Sequence, residues 1–98
     1  MIYKLISGNE LEKNLENYFV IDARTREEFK EGHIPYAINI PYDEVLENLD
    51  KIKTDKPIVL YCGSTRRSEF AADMLTHANF SDITIAPGVR LYDYKMTK

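Results

Sequence analysis

Cysteine is nearly absent from this sequence: its 98 residues include one, Cys62. A single thiol excludes an internal disulfide and any mechanism that needs a second, resolving cysteine in the same chain, and it suits a reducing compartment. The two histidines, His33 and His77, are far apart and lack the ligand spacing of a metal site. No glycine-rich nucleotide-binding loop occurs either. We therefore expect neither a metal nor any other cofactor.

Long apolar and long basic runs are also missing. No apolar run approaches the ~20 residues of a transmembrane helix, and the apolar start of the chain is too short for a signal peptide. The net charge of −3 and the lack of a basic run argue against nucleic acid or a membrane as partner. No repeat, linker or low-complexity segment divides the chain. We expect a cytoplasmic protein whose residues 1–98 form a single domain.

Short β-like runs alternate with helical ones along the chain. Strands are predicted over 2–6, 18–23, 37–40, 57–61 and 83–86. Helices are predicted after Ser7, over 25–31 up to Gly32, from Asp43, and over 69–78. The helix from Asp43 is expected to turn Val45, Leu46, Leu49 and Ile52 inward. The helix over 69–78 is expected to turn Phe70, Ala71, Met74 and Leu75 inward. Ser7 with Glu10 and Thr25 with Glu28 have the spacing of capping boxes. This alternation predicts an α/β fold with a mainly parallel central sheet of about five strands and helices on both faces.

Residues that carry chemistry fall where the predicted strands end. Cys62, Asp22 with Arg24, and Gly88 all come at or just after the carboxyl end of a strand. Ligands bind at that edge of open parallel sheets. We therefore expect one pocket to collect these residues.

Cys62 stands between the most apolar strand and a helix-like segment. The intervening loop consists of Gly63, Ser64, Thr65, Arg66, Arg67 and Ser68. Backbone N–H groups at a helix start and two arginines surround the thiol with positive charge, so we expect it to ionise more readily and to act as a nucleophile. The alternative is a cysteine that merely packs in the core, but two adjacent arginines argue against burial there.

The length of this loop favours sulfur chemistry over phosphate chemistry. Four residues separate Cys62 from Arg67. Cysteine phosphatases wrap a phosphate with a loop one residue longer, whose closing arginine would fall at Ser68. The shorter loop encloses a smaller anion or a single sulfur atom.

Five stretches together resemble a single-domain rhodanese, a sulfurtransferase, from end to end. They are residues 20–24, 28–29, 32–41, 62–68 and 87–89. The resemblance implies a rhodanese-like three-layer domain. It also implies that the Cys62 thiolate takes the outer sulfur of a small anionic donor such as thiosulfate, holds it as a persulfide, and passes it to a thiol or protein acceptor.

The resemblance also assigns roles around the loop. Arg67 aligns with the arginine that closes the family loop, and Arg66 is placed to meet the donor's sulfonate; which of the two contacts substrate stays open. Residues 63–68 supply backbone N–H groups, and the hydroxyls of Ser64, Thr65 and Ser68 either bind the anion or only stabilise the loop. Arg24 either contacts substrate or forms a structural ion pair, and Asp22 braces the scaffold.

Thr65 departs from the family pattern, because many active members carry glycine at this position. Either the loop follows a different path or Thr65 is strained. Two alternative functions therefore stay open. One is a slow or non-enzymatic module that carries sulfur or binds a protein; the other is a small-anion phosphatase or arsenate reductase.

Overall fold

A single parallel sheet organises the chain. The computed structural model describes residues 3–53 and 55–98. The strands are β1 (Lys4–Leu5), β2 (Phe19–Asp22), β3 (Ile38–Asn39), β4 (Ile58–Tyr61) and β5 (Ile83–Ile85), in the order β1-β5-β4-β2-β3 with every neighbouring pair parallel. The predicted α/β class and five-stranded parallel sheet are confirmed. Each strand is shorter than predicted. Ile2 of the first predicted strand lies outside the described residues.

The central strand β4 separates two apolar cores. All its residues are buried, as expected of a strand covered on both faces. Successive side chains point to opposite faces, so Ile58 and Leu60 join one core and Val59 and Tyr61 the other. The segments that cover the sheet thus lie on both of its faces, as predicted.

Three α-helices pack on this sheet: α1 (Gly8–Lys13), α2 (Arg26–Glu31) and α3 (Arg66–His77). The starts of α1 and α2 follow the predicted caps, whereas α3 begins at Arg66, three residues before the predicted start at Glu69. Ser7 Oγ accepts a hydrogen bond from Glu10 N at 3.1 Å. Thr25 and Glu28 form a complete, reciprocal capping box, and α2 ends at Gly32, whose φ of 155° suits glycine.

The helix predicted from Asp43 is wrong in type. Two 3-10 helices, Tyr42–Glu47 and Leu49–Lys51, occupy this segment. A 3-10 helix has three residues per turn, so Tyr42 and Val45 share the inward side, whereas Leu46 is 54% exposed. The predicted inward face is therefore wrong at Leu46, although Leu49 and Ile52 do contact the core.

The predicted inward position of Phe70 is also wrong. Helix α3 begins at Arg66, and its buried stripe consists of Ser68, Ala71, Ala72 and Leu75. At about 100° per residue, Phe70 lies nearly opposite this stripe and is 48% exposed. Its ring instead meets the edge of Tyr42, with ring centroids 5.5 Å apart.

Within residues 3–53 and 55–98, no helix combines the length and apolar character needed to cross a membrane.

Candidate active site

Cys62 directly follows β4 and is 0% exposed. It joins the core that contains Leu60 and Ala71, so its side chain faces α3. The expectation that neighbouring arginines would keep the thiol out of the apolar core is wrong. The arginine side chains reach away from that core: Arg66 is exposed and Arg67 extends to a carboxylate on α2. A substrate therefore reaches the sulfur only when neighbouring side chains shift.

The loop after Cys62 has its carbonyls engaged and its N–H groups free. Cys62 O and Gly63 O accept hydrogen bonds from the N–H groups of Val89 and Arg90, both at 2.9 Å. No acceptor in the described part of the chain takes the backbone N–H groups of residues 63–68. Part of this set belongs to the first turn of α3, where helix geometry leaves donors unused. The loop therefore presents a row of backbone donors to an anion.

Thr65 has a negative φ. Its φ of −138° and ψ of −17° lie outside the left-handed region that favours glycine. Its side chain forms no capping hydrogen bond to α3. Of the two alternatives raised by the sequence, this supports a loop path that threonine adopts without strain.

Arg67 is held by Glu28 of α2. Arg67 Nη1 and Nη2 lie 2.8 and 3.3 Å from Glu28 Oε1 and Oε2. The pKa of Glu28 is lowered to about 2, and the hydrogen bond from Arg67 is the largest cause. Burial acts in the opposite direction and raises this pKa, whereas the hydrogen bond from Thr25 N–H lowers it further. Glu28 in turn raises the pKa of Arg67. Because Glu28 neutralises Arg67, this arginine adds less net charge to the site than the sequence indicates.

Two other loop side chains have no such partner. Arg66 is exposed, and its guanidinium forms no ion pair with any described residue. Ser68 is fully buried, and its Oγ has no hydrogen-bond partner among residues 3–53 and 55–98. Buried hydroxyls are seldom left unsatisfied. Ser68 thus keeps a donor available beside the loop.

Arg24 and Asp22 form a buried ion pair. Arg24 Nη2 lies 2.8 Å from Asp22 Oδ2 and also donates to Gly32 O at 2.6 Å. Burial, the largest single influence, lowers the pKa of Arg24, but Asp22 and Tyr61 together raise it. Tyr61 OH donates to Asp22 Oδ2 at 2.6 Å and accepts from Ile34 N at 3.0 Å. Arg24 is therefore occupied by internal contacts, in keeping with the structural ion pair.

The sequence reasoning missed Glu28 and Arg90 as site residues. Glu28 was assigned only to the capping box with Thr25, so its contact with Arg67 was not anticipated. Arg90 could have been noticed, because it follows Pro87-Gly88-Val89 just beyond the carboxyl end of β5. A Cβ placed on Gly63 would lie 3.7 Å from Arg90 Nε and 2.9 Å from Arg67 Nη2, so both guanidinium groups lie over the residue that follows the thiol.

The structure brings most of the predicted site together at one end of the sheet. Gly88 touches the loop backbone so closely that an added Cβ would lie 2.1 Å from Ser64 O. Two surface cavities of about 470 and 800 Å³ lie elsewhere: one is lined by Pro57 and Ile58, the other by Tyr18 and Phe19, at the amino ends of β4 and β2. The nucleophile, the loop and Arg90 therefore form a site distinct from these cavities.

Known proteins are similar to this chain in sequence and in fold. The Rhodanese-like domain family matches residues 7–93. YtwF, a putative sulfurtransferase of Bacillus subtilis, is 29% identical over 96 residues, which are 95% of this chain and 93% of YtwF. YrkF, a putative sulfur carrier protein of the same species, is 34% identical over 76 residues, which are 76% of this chain and 41% of YrkF. The crystal structure of a rhodanese-related protein from Thermoplasma volcanium has a TM-score of 0.85 and 26% identity, covering 97% of this chain and 98% of that one.

Several relatives are longer proteins. At 32–35% identity, this chain spans from 22% to 65% of their lengths. The likeness therefore concerns one domain of those proteins.

Proposed function

This chain belongs to the rhodanese-like domain family, and from that premise we propose that it is a sulfurtransferase. It moves sulfane sulfur from a donor such as thiosulfate to a thiophilic acceptor through a persulfide on Cys62, with residues 1–98 acting as one domain in the cytoplasm. One observation carries the proposal: the only thiol directly follows the central strand and precedes a loop whose backbone N–H groups are free to bind an anion.

The first step loads sulfur onto Cys62. The Cys62 thiolate attacks the outer sulfur of thiosulfate and forms a new S–S bond. The bond between the two donor sulfurs breaks, and sulfite leaves with the electron pair. The product is a Cys62 persulfide whose terminal sulfur carries a negative charge.

The second step unloads the sulfur. An acceptor nucleophile such as cyanide attacks the terminal sulfur and breaks the S–S bond to Cys62. Thiocyanate leaves, and the bonding electrons return to Cys62 as a thiolate. No net redox change occurs in the cycle, so no external oxidant or reductant is needed.

The residues of the loop stabilise the anionic species of both steps. The free N–H groups of residues 63–68 are preorganised donors for the persulfide sulfur. The unpartnered hydroxyl of Ser68 adds a side-chain donor. Arg66 supplies positive charge at the start of α3, where Arg67 is paired with Glu28. Asp22 and Arg24 stabilise the strand ends on which the loop is built.

A slow sulfur-carrier or protein-binding module is the second candidate. The complete burial of Cys62 favours it, because a closed site reacts slowly with small donors until its side chains move. The relative YrkF also carries the name of a putative sulfur carrier protein. In this case the persulfide forms, but it discharges faster to a partner protein than to cyanide.

The intact mass of the protein before and after thiosulfate treatment tests the proposal. We expect a species heavier by one sulfur atom, which cyanide removes as thiocyanate. Cys62→Ser is the matched control, since it replaces only the sulfur with oxygen and should gain no mass.

Two results contradict the proposal. Retained sulfur transfer in Cys62→Ser would exclude Cys62 as the carrier. No added mass on the wild type, with Cys62 shown to be reduced, would exclude thiosulfate-dependent persulfide formation. Added mass with slow cyanide turnover would instead select the sulfur-carrier candidate.

A further inference from the structure

Three arginines surround the loop after Cys62, but they differ in their partners. Arg67 is paired through both terminal nitrogens with Glu28. Arg66 and Arg90 form no ion pair or side-chain hydrogen bond with any residue in 3–53 or 55–98. The pair of Arg67 and Glu28 is close to neutral, so the uncompensated positive charge belongs to Arg66 and Arg90.

Of these two arginines, Arg90 reaches the loop from another part of the chain and is hydrogen-bonded to it through its backbone. Its backbone N–H donates to Gly63 O at 2.9 Å, and the preceding Val89 N donates to Cys62 O at 2.9 Å. Its Nε and Cζ lie 3.7 and 3.8 Å from the position of a Cβ on Gly63. The backbone contact thus places the guanidinium over the residue that follows the nucleophile, and the Arg90 side chain is exposed to solvent.

We propose that Arg90 is the specificity-determining cation of this site and that it selects sulfur donors whose leaving group is an anion. The selection among sulfur donors rests on the sulfurtransferase function proposed above. The electrostatic statement does not: Arg90, and not the pair of Arg67 and Glu28, attracts anions to Cys62.

The chemistry of the donor explains why such a cation matters. When the S–S bond of thiosulfate breaks, negative charge grows on the departing sulfite. A guanidinium presents a planar set of donors that matches the oxygens of a sulfonate group. A cation already in place stabilises this charge as it develops. Donors with a neutral leaving group gain nothing from Arg90.

The ratio of two alkylation rates tests the electrostatic part. Iodoacetate and iodoacetamide both add to the Cys62 thiolate with loss of iodide, but only iodoacetate is an anion. Their rate ratio cancels differences in thiol access and ionisation. We expect Arg90→Gln to lower the iodoacetate-to-iodoacetamide ratio roughly fivefold, and Arg90→Lys to retain most of it.

Matched variants separate Arg90 from other charges. The double variant Glu28→Gln with Arg67→Gln removes a near-neutral pair and should change the ratio less than about twofold. Lys56→Gln removes one charge at the amino end of β4, away from the loop, and should leave the ratio unchanged. A double variant that lowers the ratio as much as Arg90→Gln would overturn the assignment to Arg90.

Thiosulfate binding to the Cys62→Ser protein gives a second measurement that needs no reactive thiol. We expect Arg90→Gln in this background to weaken thiosulfate binding about tenfold. If Arg90→Gln leaves both this affinity and the alkylation ratio within about twofold of their reference values, the proposal is wrong. If the ratio falls but the wild type forms no persulfide, the anion site stands and the sulfurtransferase function fails.

Discussion

At the scale of single residues, Glu28 connects a helix cap with the candidate active site. Its carboxylate accepts from Thr25 N and Thr25 Oγ1, both at 3.1 Å, and from both terminal nitrogens of Arg67. The start of α2 and the start of α3 are therefore tied to one carboxylate. Its charge matters to both, because an ionised oxygen accepts stronger hydrogen bonds than a neutral one.

The stability that Glu28 provides should depend on pH. Its pKa is about 2 in the folded protein against an ordinary value of 4.5, so its contribution is complete above about pH 4.5 and disappears as the pH falls towards 2. Glu28→Gln keeps a capping-box side chain but removes the charge. We expect it to lower the free energy of unfolding by on the order of 1 kcal/mol at pH 7, after discounting for the solvent exposure of this carboxylate.

Urea unfolding of both proteins between pH 3 and pH 7 checks this expectation. The difference between wild type and Glu28→Gln should shrink steadily below about pH 4.5. A difference that stays constant over the whole range would show that the ion pair with Arg67 contributes no pH-dependent stability.

Thr65 provides a second test at the residue scale. Because its φ of −138° lies outside the left-handed region, the backbone at this position does not require glycine. Thr65→Gly should lower the free energy of unfolding by about 0.5–1 kcal/mol, since glycine gains more freedom in the unfolded chain. Thr65→Ala is the control and should change stability less, because the threonine side chain forms no cap. A more stable Thr65→Gly protein would indicate strain at Thr65.

At the scale of elements, the segment after β5 and the loop after β4 form one unit. Two backbone hydrogen bonds join them, and Gly88 lies against the carbonyls of Gly63 and Ser64. The position of Arg90 follows from this backbone contact. The geometry of the candidate site therefore depends on elements that are distant in sequence.

Substitution of Gly88 should break this unit. A Cβ would lie 2.1–2.2 Å from two backbone carbonyl oxygens, which cannot move independently of the loop. We expect Gly88→Ala to lower the free energy of unfolding by about 1–3 kcal/mol and to reduce the iodoacetate-to-iodoacetamide ratio at Cys62. Gly63→Ala is the matched control, since the nearest contact of its Cβ is a side-chain end, Arg67 Nη2 at 2.9 Å, and not the backbone. Equal stability losses in the two variants would contradict this account.

The elements that sequence patterns predicted best are those governed by local rules. The capping box of Thr25 and Glu28 depends on a few adjacent residues, and its prediction is confirmed. The segment from Tyr42 to Lys51 fits an α-helical pattern, yet it forms 3-10 helices. Its entry is set by a tertiary contact, since Tyr42 N donates to Ala23 O at 3.0 Å. A local pattern cannot anticipate such a contact.

At the scale of the whole molecule, the predicted parts of the site follow from local patterns and strand order, whereas the missed parts depend on tertiary contacts. The thiol, the loop and the strand ends could be located because parallel strands bring their carboxyl ends to one edge. The pairing of Arg67 with Glu28 joins residues 39 positions apart, and Arg90 reaches Gly63 from the segment after β5. Such pairs are visible only once the packing of the helices is known.

The buried network around Tyr61 connects the central strand with both sides of the fold. Tyr61 is 0% exposed, and its hydroxyl joins Asp22 at the end of β2 to Ile34 N in the connection before β3. Burial, with a further contribution from the charge of Asp22, raises the pKa of Tyr61 and keeps it a neutral donor. A hydroxyl in this position satisfies two buried groups at once.

Tyr61→Phe should therefore destabilise the whole domain without disabling sulfur loading. It leaves Ile34 N–H without its acceptor and removes one donor to Asp22, which we expect to cost about 1–3 kcal/mol in the free energy of unfolding. Tyr94→Phe is the matched control: Tyr94 is also buried, but among the described residues its hydroxyl bonds only Pro87 O, so the loss should be smaller. Because Tyr61 faces the core opposite Cys62, thiosulfate should still add one sulfur to the folded Tyr61→Phe protein. Urea unfolding and intact mass check these expectations. Equal stability losses in the two variants would contradict the role of the Tyr61 network in the fold. A folded Tyr61→Phe protein that no longer gains sulfur would show that Tyr61 acts at the candidate site.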